Sequence, residues 1–285
     1  MAARLSDPLV RRLVRDALRE DFGDRGDVTS IATIPASSRS TTRMIAKENG
    51  VVCGLAIAVE AFRQLDRHAT IKLHVREGAK VRRGQIVLAL RGKTRAILSA
   101  ERVALNFVQQ LSGVATLTHR FVEAAGHRVR ILDTRKTTPL LRTLEKHAVR
   151  CGGGTNHRFG LHDQILIKDN HLAALAHHPH PILEAVARAR KHWPKLTVEV
   201  ECDTLAQVRE AVEAKADILL LDNMTPAQLR QAVRLVRGRA KMEASGGVTL
   251  KNVGSIARTG VDCISIGALT HSAPALDFSL EVELL

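Results

Sequence analysis

Short apolar segments recur through the second part of the chain, and a stretch of helix-forming composition follows each of them. Four successive segments begin at residues 196, 218, 241 and 263, which is the spacing expected of a strand and its helix. Repeated strand–helix units predict a parallel β-sheet, either closed into a barrel or open and doubly wound. The predicted strands are residues 129–132, 164–167, 196–200, 218–221, 241–244 and 263–266.

Charged residues and glycines gather directly after these predicted strands. In a βα barrel the carboxyl ends of the strands form one face, where the active site is built. Surface charge without a function would not follow every strand, so the pattern predicts one shared site. The residues after the strands are Asp133, Thr134, Arg135, Lys136, Lys168, Asp169, Asn170, His171, Glu201, Asp222, Asn223, Ser245, Gly246, Gly247, Gly267 and Ala268.

Part of this site is cationic and part is acidic. Arg binds carboxylates in bidentate fashion and Lys is a compact charge, so a cation cluster suits a ligand with several carboxylates or a phosphate. Glu201 and Asp222 are candidates to hold Mg²⁺, directly or through water, and to bind sugar hydroxyls. The alternative for them is a salt bridge to the cations. The cluster consists of Arg135, Lys136, His157, Arg158 and Lys168.

Two further features complete the predicted site. Glu199 precedes Glu201 by two residues, so both side chains point to one face of the strand, with Glu199 deeper and expected beside a Lys or Arg. The segments Ser245-Gly246-Gly247 and Gly267-Ala268 follow the last two strands, where barrels often bind phosphate on backbone amides. The three regions together indicate a transferase with a phosphorylated, metal-bound donor and a carboxylated acceptor.

The first part of the chain has a different texture. Residues 41–98 are strand-like, with turns at 77–78 and 83–84 and predicted strands at 71–75 and 85–90. Asp7 and Pro8 predict a helix start, with Leu9, Leu13 and Ala17 on one face. A second helix is predicted from residue 100 through 117 and beyond. A short β-rich domain therefore precedes the barrel.

Composition narrows the class of protein. The formal net charge of +14 favours polyanionic partners, although an Arg-rich proteome would give the same surplus. Aromatic residues are only 2% of the chain, which argues against a nucleic-acid platform of stacked rings. No apolar run is long enough to span a membrane. The four cysteines lack the spacing of a zinc site or redox dithiol, which predicts buried thiols in a cytoplasmic protein.

Ordered motifs along nearly the whole chain closely resemble those of the quinolinate phosphoribosyltransferase family. That resemblance implies an α/β fold: an incomplete, TIM-like α/β barrel with an N-terminal α/β sandwich domain. It implies a sandwich of residues 1–112, joined by the tail 270–285, and a catalytic barrel of residues 113–269. The motifs are residues 101–106, 133–138, 151–158, 167–171, 198–202, 220–224, 243–247 and 274–279.

The resemblance also implies an activity, partners and roles. The expected enzyme is a carboxylating nicotinate-nucleotide diphosphorylase, which uses Mg²⁺ to make nicotinate mononucleotide, pyrophosphate and CO₂ from quinolinate and phosphoribosyl pyrophosphate for NAD. It is expected to be a homodimer, in which Arg102 reaches the neighbouring subunit's quinolinate. The implied catalytic residues are Lys136, Lys168, Glu201 and Asp222. The implied substrate contacts are Arg102, Thr134, Arg135, Lys136, His157, Arg158, Lys168, Glu201, Asp222, Ser245, Gly246, Gly247, Gly267, Ala268 and Leu269.

Two positions depart from the family pattern, and some alternatives stay open. His147 stands where members often have Tyr, and Leu140 where Gly is common. The main alternative is a relative with another acceptor, such as the pyrophosphorylase-like protein found with molybdate transport, although the number of cations favours a diacid. Nucleic-acid binding lacks any motif, and a carrier role for Lys80 lacks the expected tight turn.

Overall fold

The computed structural model describes residues 7–126 and 129–284, and this part of the chain divides into two compact units. Within those ranges the first unit contains residues 7–119, 138–153 and 272–284, and the second contains the remainder. The domain boundaries expected at residues 112 and 270 stay a prediction. Among the described residues, no helix is both long and apolar enough to cross a membrane.

The first unit is an α/β sandwich built on an antiparallel sheet in the order β12-β1-β5-β3. The C-terminal strand pairs with β1 from Phe278 opposite Ala46 to Leu284 opposite Ser40, so the end of the chain completes the N-terminal sheet. Its elements, numbered along the chain, are α1 Asp7–Phe22, α2 Val28–Thr33, β1 Arg39–Ala46, β2 Gly50–Val51, α3 Leu55–Leu65, β3 Thr70–Leu73, β4 Lys80–Val81, β5 Ile86–Lys93, α4 Thr94–Ala125 (which continues into the second unit), α5 Arg142–Cys151 and β12 Phe278–Leu284.

The structure corrects the β-rich interpretation of this region. The predicted strands correspond to β3 and β5, but α3 precedes β3 within the strand-like region 41–98 and was not expected. Apolar residues at helical spacing, including Leu55, Ala58 and Phe62, are buried on one face of α3. In α1 the buried side chains are Val10, Val14 and Leu18. Each lies one position after a residue of the face that was predicted from the sequence. An apolar run next to strands is thus ambiguous until its partner is known.

The second unit contains the six predicted strands, all parallel, in the order β6-β11-β10-β9-β8-β7. Consecutive strands therefore lie side by side and β6 returns beside β11, which is the arrangement of a barrel left open between β6 and β7. Thr204 and Thr225 form capping boxes at the helices after β8 and β9. The elements are β6 Arg130–Leu132, β7 Ile165–Ile167, α6 Asp169–Ala173, α7 Pro181–His192, β8 Val198–Cys202, α8 Leu205–Glu213, β9 Ile218–Asp222, α9 Pro226–Val236, β10 Lys241–Ser245, α10 Val253–Ala257, β11 Cys263–Ser265 and α11 Ala268–His271.

A short segment occupies the open side of this barrel beside β6. Thr155 makes a parallel bridge with Leu132, and its amide donates to the Ile131 carbonyl at 2.8 Å. The next two residues hold the buried carboxylate of Asp133: Asn156 Nδ2 lies 2.5 Å from Oδ2, and the His157 amide lies 2.9 Å from Oδ1. The segment thereby fixes His157 at the mouth of the barrel.

Candidate active site

The carboxyl ends of the six parallel strands surround one cavity of about 740 Å³ in the second unit. The cavity brings together residues that are more than about 130 positions apart in the sequence, as barrel topology predicts. Almost every expected substrate contact lines it, whereas Asp133, Asp169, Asn170 and His171, which also follow the predicted strands, do not. The expected contacts that line the cavity are Thr134, Arg135, Lys136, His157, Arg158, Lys168, Glu201, Asp222, Ser245, Gly246, Gly247, Gly267 and Ala268.

Two expected contacts lie elsewhere. Leu269 has a fully buried side chain and does not line the cavity. Leu269 lies in α11 with its side chain packed into the core, so only its backbone is a candidate for ligand contact. Arg102 belongs to the first unit, where it is exposed on α4 and lines a smaller cavity of about 280 Å³ together with Glu20 and Asp21.

One wall of the large cavity is positively charged. Burial and then the neighbouring charge of Arg135 lower the pKa of Arg158 below its ordinary value. The Arg158 side chain is oriented by a hydrogen bond from Nη1 to the Gln164 carbonyl at 3.2 Å. Two guanidinium groups that disfavour each other's charge are stabilised when an anion lies between them. This wall is suited to a ligand with more than one carboxylate.

The buried floor of the cavity contains a histidine between two glutamates. His157 Nε2 lies 3.1 Å from Glu199 Oε2 and 3.4 Å from Glu243 Oε2, and both carboxylates are almost completely buried. Burial lowers the pKa of His157, but the two glutamates more than offset this and raise it to about 10. The Arg158 amide lies 2.7 Å from His157 Nδ1, a contact that favours the neutral ring but is outweighed by the two glutamates. The floor therefore contains a charged imidazolium beside the carboxylates of Glu199 and Glu243, whose negative charge it offsets.

This arrangement corrects the expected partner of Glu199. A lysine or arginine was predicted, whereas Glu199 Oε2 contacts His157 and accepts from Gln164 Nε2 at 2.6 Å. Burial, partly opposed by His157, raises the pKa of Glu199. In the part of the chain that is described, Glu199 Oε1 and Glu243 Oε1 are buried without a hydrogen-bond partner. Because these buried oxygens have no hydrogen-bond donor, the positive charge of His157 is needed to stabilise the two carboxylates in the floor.

The acidic residues follow β8 and β9. Glu201 is nearly buried and forms an ion pair with Lys168, whose side chain is 43% exposed. Asp222 accepts from Asn223 Nδ2 at 2.5 Å. The salt bridge that was the alternative for Glu201 therefore exists, but it lies in the cavity and leaves both residues available to a ligand.

These carboxylates fit the requirements of Mg²⁺. Among the described residues their hydrogen bonds use Glu201 Oε2 and Asp222 Oδ2, so each carboxylate has a second oxygen for a cation or hydroxyl. Mg²⁺ prefers oxygen ligands and is held through one or two carboxylates together with substrate phosphates. The protonated ring of His157 is a poor metal ligand, although its nitrogen and the Glu199 and Glu243 oxygens lie within 4.8 Å of one another.

Glycines form the opposite rim, where side chains would fill the space. A Cβ on Gly246 would lie 2.2 Å from Asn223 Oδ1, and Gly246 and Gly247 have φ of +89° and +58°. The Asn223 amide in turn donates to the Ser245 carbonyl at 2.9 Å. Exposed backbone in this conformation is suited to binding phosphate oxygens.

Sequence reasoning missed two titratable residues that line the cavity, Glu243 and His271. Glu243 precedes Ser245 by two positions on β10, so strand alternation places both on the same face. That signal was readable from the sequence. His271 lies near Gly267, since a Cβ added to Gly267 would lie 3.2 Å from His271 Nε2. This approach depends on the folded loop.

Comparisons with known proteins agree in covering nearly the whole chain. The family model described as quinolinate phosphoribosyl transferase, N-terminal domain, matches residues 27–112, and its C-terminal counterpart matches residues 114–281. A probable carboxylating nicotinate-nucleotide pyrophosphorylase of Bacillus subtilis is 43% identical over 277 residues, covering 96% of this chain and 94% of that protein. A decarboxylating quinolinate phosphoribosyltransferase of Nicotiana tabacum is 42% identical over 96% of this chain and 82% of its own length.

Solved structures give the same result. The crystal structure of NadC from Streptococcus pyogenes is similar with a TM-score of 0.95 and 40% identity, over 99% of both chains. The nicotinate-nucleotide pyrophosphorylase of Francisella tularensis has a TM-score of 0.93 and 40% identity, over 98% of both chains. The likeness therefore extends over both compact units at substantial sequence identity.

Proposed function

Since the chain belongs to the quinolinate phosphoribosyltransferase family, we propose that it joins quinolinate to phosphoribosyl pyrophosphate and yields nicotinate mononucleotide, pyrophosphate and CO₂ for NAD synthesis. The observation that carries this proposal is the division of one cavity into a wall with two guanidinium groups, two carboxylates and a glycine rim. Such a cavity suits a dicarboxylate acceptor beside a phosphorylated sugar.

Quinolinate carries adjacent carboxylates on a pyridine ring, and the cationic wall binds them. Arg135 and Arg158 disfavour each other's charge in the free enzyme, so a dianion relieves that repulsion. Planar guanidinium groups also fix the orientation of a carboxylate, which a single ammonium does not. The ring nitrogen is thereby directed at the ribose C1 atom. A monocarboxylate such as nicotinate satisfies fewer of these contacts.

The donor lies along the acidic side and the glycine rim. Glu201 and Asp222 bind the ribose hydroxyls and would hold Mg²⁺, which when bound neutralises charge on the departing pyrophosphate. The Lys136 side chain passes close to Gly267, where an added Cβ would lie 3.0 Å from the Lys136 Cδ atom. The Lys136 carbonyl accepts from Thr270 Oγ1 at 2.7 Å. The lysine and the exposed amides of Gly246 and Gly247 bind the 5′-phosphate or the pyrophosphate.

Positioning and electrostatics accelerate the reaction, with no covalent enzyme intermediate. The ring nitrogen forms a bond to ribose C1 as the bond from C1 to pyrophosphate breaks, and the ring becomes positively charged. That charge stabilises the electron pair left on the ring carbon when the adjacent carboxylate departs as CO₂. A proton from Lys136, Lys168 or water then completes the product.

The dimeric state and the role of Arg102 belong to the same proposal. Arg102 is exposed on α4 of the first unit. In the homodimer it contacts the quinolinate of the partner subunit, adding a cation to the wall formed by Arg135 and Arg158. Mixing an Arg102→Ala subunit with an inactive Lys136→Ala subunit tests this, since only a dimer that shares sites between subunits regains activity.

The acceptor assay tests the function. Purified protein is incubated with phosphoribosyl pyrophosphate, Mg²⁺ and either quinolinate or nicotinate, and nicotinate mononucleotide is quantified by chromatography. The expected result is product from quinolinate, with nicotinate about ten- to hundredfold poorer, because a lost charged contact costs about 1.5–3 kcal/mol. Equal use of nicotinate, or product from neither acceptor in a folded sample, would exclude the proposed acceptor.

A further inference from the structure

A second cluster of reactive side chains lies in the first unit, apart from the cavity just described. Cys53, His147 and Cys151 each offer one ligand atom, and these atoms all lie within 4.8 Å of one another. Cys151 Sγ is 3.5 Å from His147 Nε2. Cys53 is completely buried and Cys151 is partly buried. The cysteines are distant in sequence, so the prediction that no pair forms a metal or redox site took account only of spacing along the chain.

Two of the ligand atoms come from a single helix. His147 and Cys151 are four residues apart on α5, so they lie on one face one turn apart. The end of α5 packs closely, because a Cβ on Gly152 would lie 2.3 Å from the Ala115 carbonyl oxygen. This approach fixes the position of the helix and therefore of both side chains.

The third ligand atom comes from the segment before α3, which is also held firmly. The Cys53 amide donates to Ser112 Oγ at 2.9 Å, and the Ser112 hydroxyl donates to the Cys53 carbonyl at 3.2 Å. Both bonds are buried. The thiol of Cys53 is thereby directed at α5 without dependence on a flexible loop.

A carboxylate lies on the remaining side of the cluster. Glu77 Oε1 is 3.6 Å from His147 Nε2, the same nitrogen that faces Cys151. The carboxylate is oriented by the amides of Gly54 and Leu55, which donate to Oε1 at 2.5 Å and to Oε2 at 3.1 Å. Two sulfurs and one nitrogen therefore lie within 4.8 Å of one another, and one Glu77 oxygen lies beside that nitrogen.

These separations match the edges of a zinc tetrahedron. Zn–S bonds of about 2.3 Å and Zn–N bonds of about 2.0–2.1 Å give a sulfur-to-nitrogen edge of about 3.5 Å. The distance from Cys151 Sγ to His147 Nε2 is 3.5 Å. We propose that Cys53, His147 and Cys151 bind a structural Zn²⁺ ion, with Glu77 as the fourth ligand.

The ion would tie α5 to the start of α3 in the first unit. A closed set of four protein ligands is typical of a structural zinc site, while a catalytic one keeps a position for water or substrate. A disulfide between Cys53 and Cys151 is the competing outcome, but it gives no role to His147 Nε2, which both Cys151 and Glu77 approach. The proposal is independent of the Mg²⁺ and substrates assigned to the barrel unit.

Cobalt substitution tests the proposal, because Co²⁺ reports thiolate ligation directly. The full-length protein is reduced, stripped with a chelator and titrated with Co²⁺ under anaerobic conditions. We expect one ion per chain, with a thiolate-to-cobalt charge-transfer band and the visible bands of tetrahedral Co²⁺, displaced by one equivalent of Zn²⁺. Cys151→Ser and His147→Tyr should weaken binding more than about a hundredfold, since the loss of an outer-shell partner alone costs about 10–100-fold.

Two control variants separate this site from other metal-binding groups. Cys263→Ala removes a buried thiol elsewhere, and His192→Gln removes an exposed histidine at the end of α7. Both should keep the charge-transfer band. His147→Tyr places in the cluster the residue that family members often have, and circular dichroism checks that this variant is folded. Three results would each overturn the proposal. They are a charge-transfer band that survives Cys151→Ser, a stripped protein that binds no Co²⁺, and a Cys53–Cys151 disulfide in protein that was purified with neither reductant nor zinc.

Discussion

Replacement of His157 by glutamine is the most informative perturbation of the barrel floor. His157 lies at 3.1 and 3.4 Å from two glutamate carboxylates that are almost completely buried. A histidine pKa raised to about 10 corresponds to about 5 kcal/mol of stabilisation of the charged ring, at about 1.4 kcal/mol per pH unit. Removing one partner of a buried ion pair costs about 3–5 kcal/mol. We expect His157→Gln to lower the free energy of unfolding by about 3–5 kcal/mol at pH 7.

The pH dependence gives this prediction its signature. Because the folded pKa of His157, about 10, exceeds the unfolded value of 6.5, its stabilisation is fully present below pH 6.5. The stabilisation is lost as the pH rises through about 10. Urea unfolding followed by circular dichroism at pH 7 and pH 10 should therefore show the difference between wild type and His157→Gln shrinking with pH.

An exposed histidine of the same unit supplies the control. His192→Gln, at the end of α7, should leave the urea midpoint and its pH dependence unchanged. Two results would refute the reasoning about the floor. One is a His157→Gln midpoint equal to that of wild type at pH 7, and the other is a stability difference that stays constant up to pH 10.

Four further predictions, each made for a substitution or a matched pair, test individual parts of the account. Arg158→Ala should raise the quinolinate KM and reduce kcat/KM by about ten- to hundredfold, the effect of losing a charged hydrogen bond of about 1.5–3 kcal/mol; wild-type kinetics would exclude Arg158 from the acceptor site. Asp222→Asn should chiefly impair use of the donor and Mg²⁺, and an unchanged Mg²⁺ titration would count against this role. Gly246→Ala should raise the donor KM much more than Gly247→Ala, since only the first meets Asn223 at 2.2 Å; equal effects would contradict the steric argument. Leu140→Gly should raise stability by about 0.5–1 kcal/mol in urea unfolding, because Leu140 has φ of 67° and is 93% exposed, and a loss of stability would show an unseen contact.

The sequence predicted the barrel unit well because local patterns determine most of it. Each strand is a short apolar run, and the helices after β8 and β9 begin at Thr caps, so these features are readable within about 20 residues of the chain. The first unit was harder to predict. Helix α3 was hidden by apolar residues that also fit a strand, and the pairing of β12 with β1 joins opposite ends of the chain.

The site was predictable in its residues but not in their contacts. Strand ends gave Arg135, Glu201 and Asp222 because parallel topology brings those ends together. The imidazolium between Glu199 and Glu243 depends on a segment that returns beside β6, and no local rule predicts this return. The meeting of Cys53 with α5 likewise arises from tertiary packing.

Coupling between transfer and decarboxylation tests the central claim most directly. Quinolinate labelled in the carboxylate next to the ring nitrogen is incubated with the enzyme, and labelled CO₂ and nicotinate mononucleotide are measured together, with and without phosphoribosyl pyrophosphate. The account predicts equal amounts of both products, and no CO₂ without the donor, because the ring must first become positively charged. Release of CO₂ without the donor, or mononucleotide formed without CO₂, would contradict it.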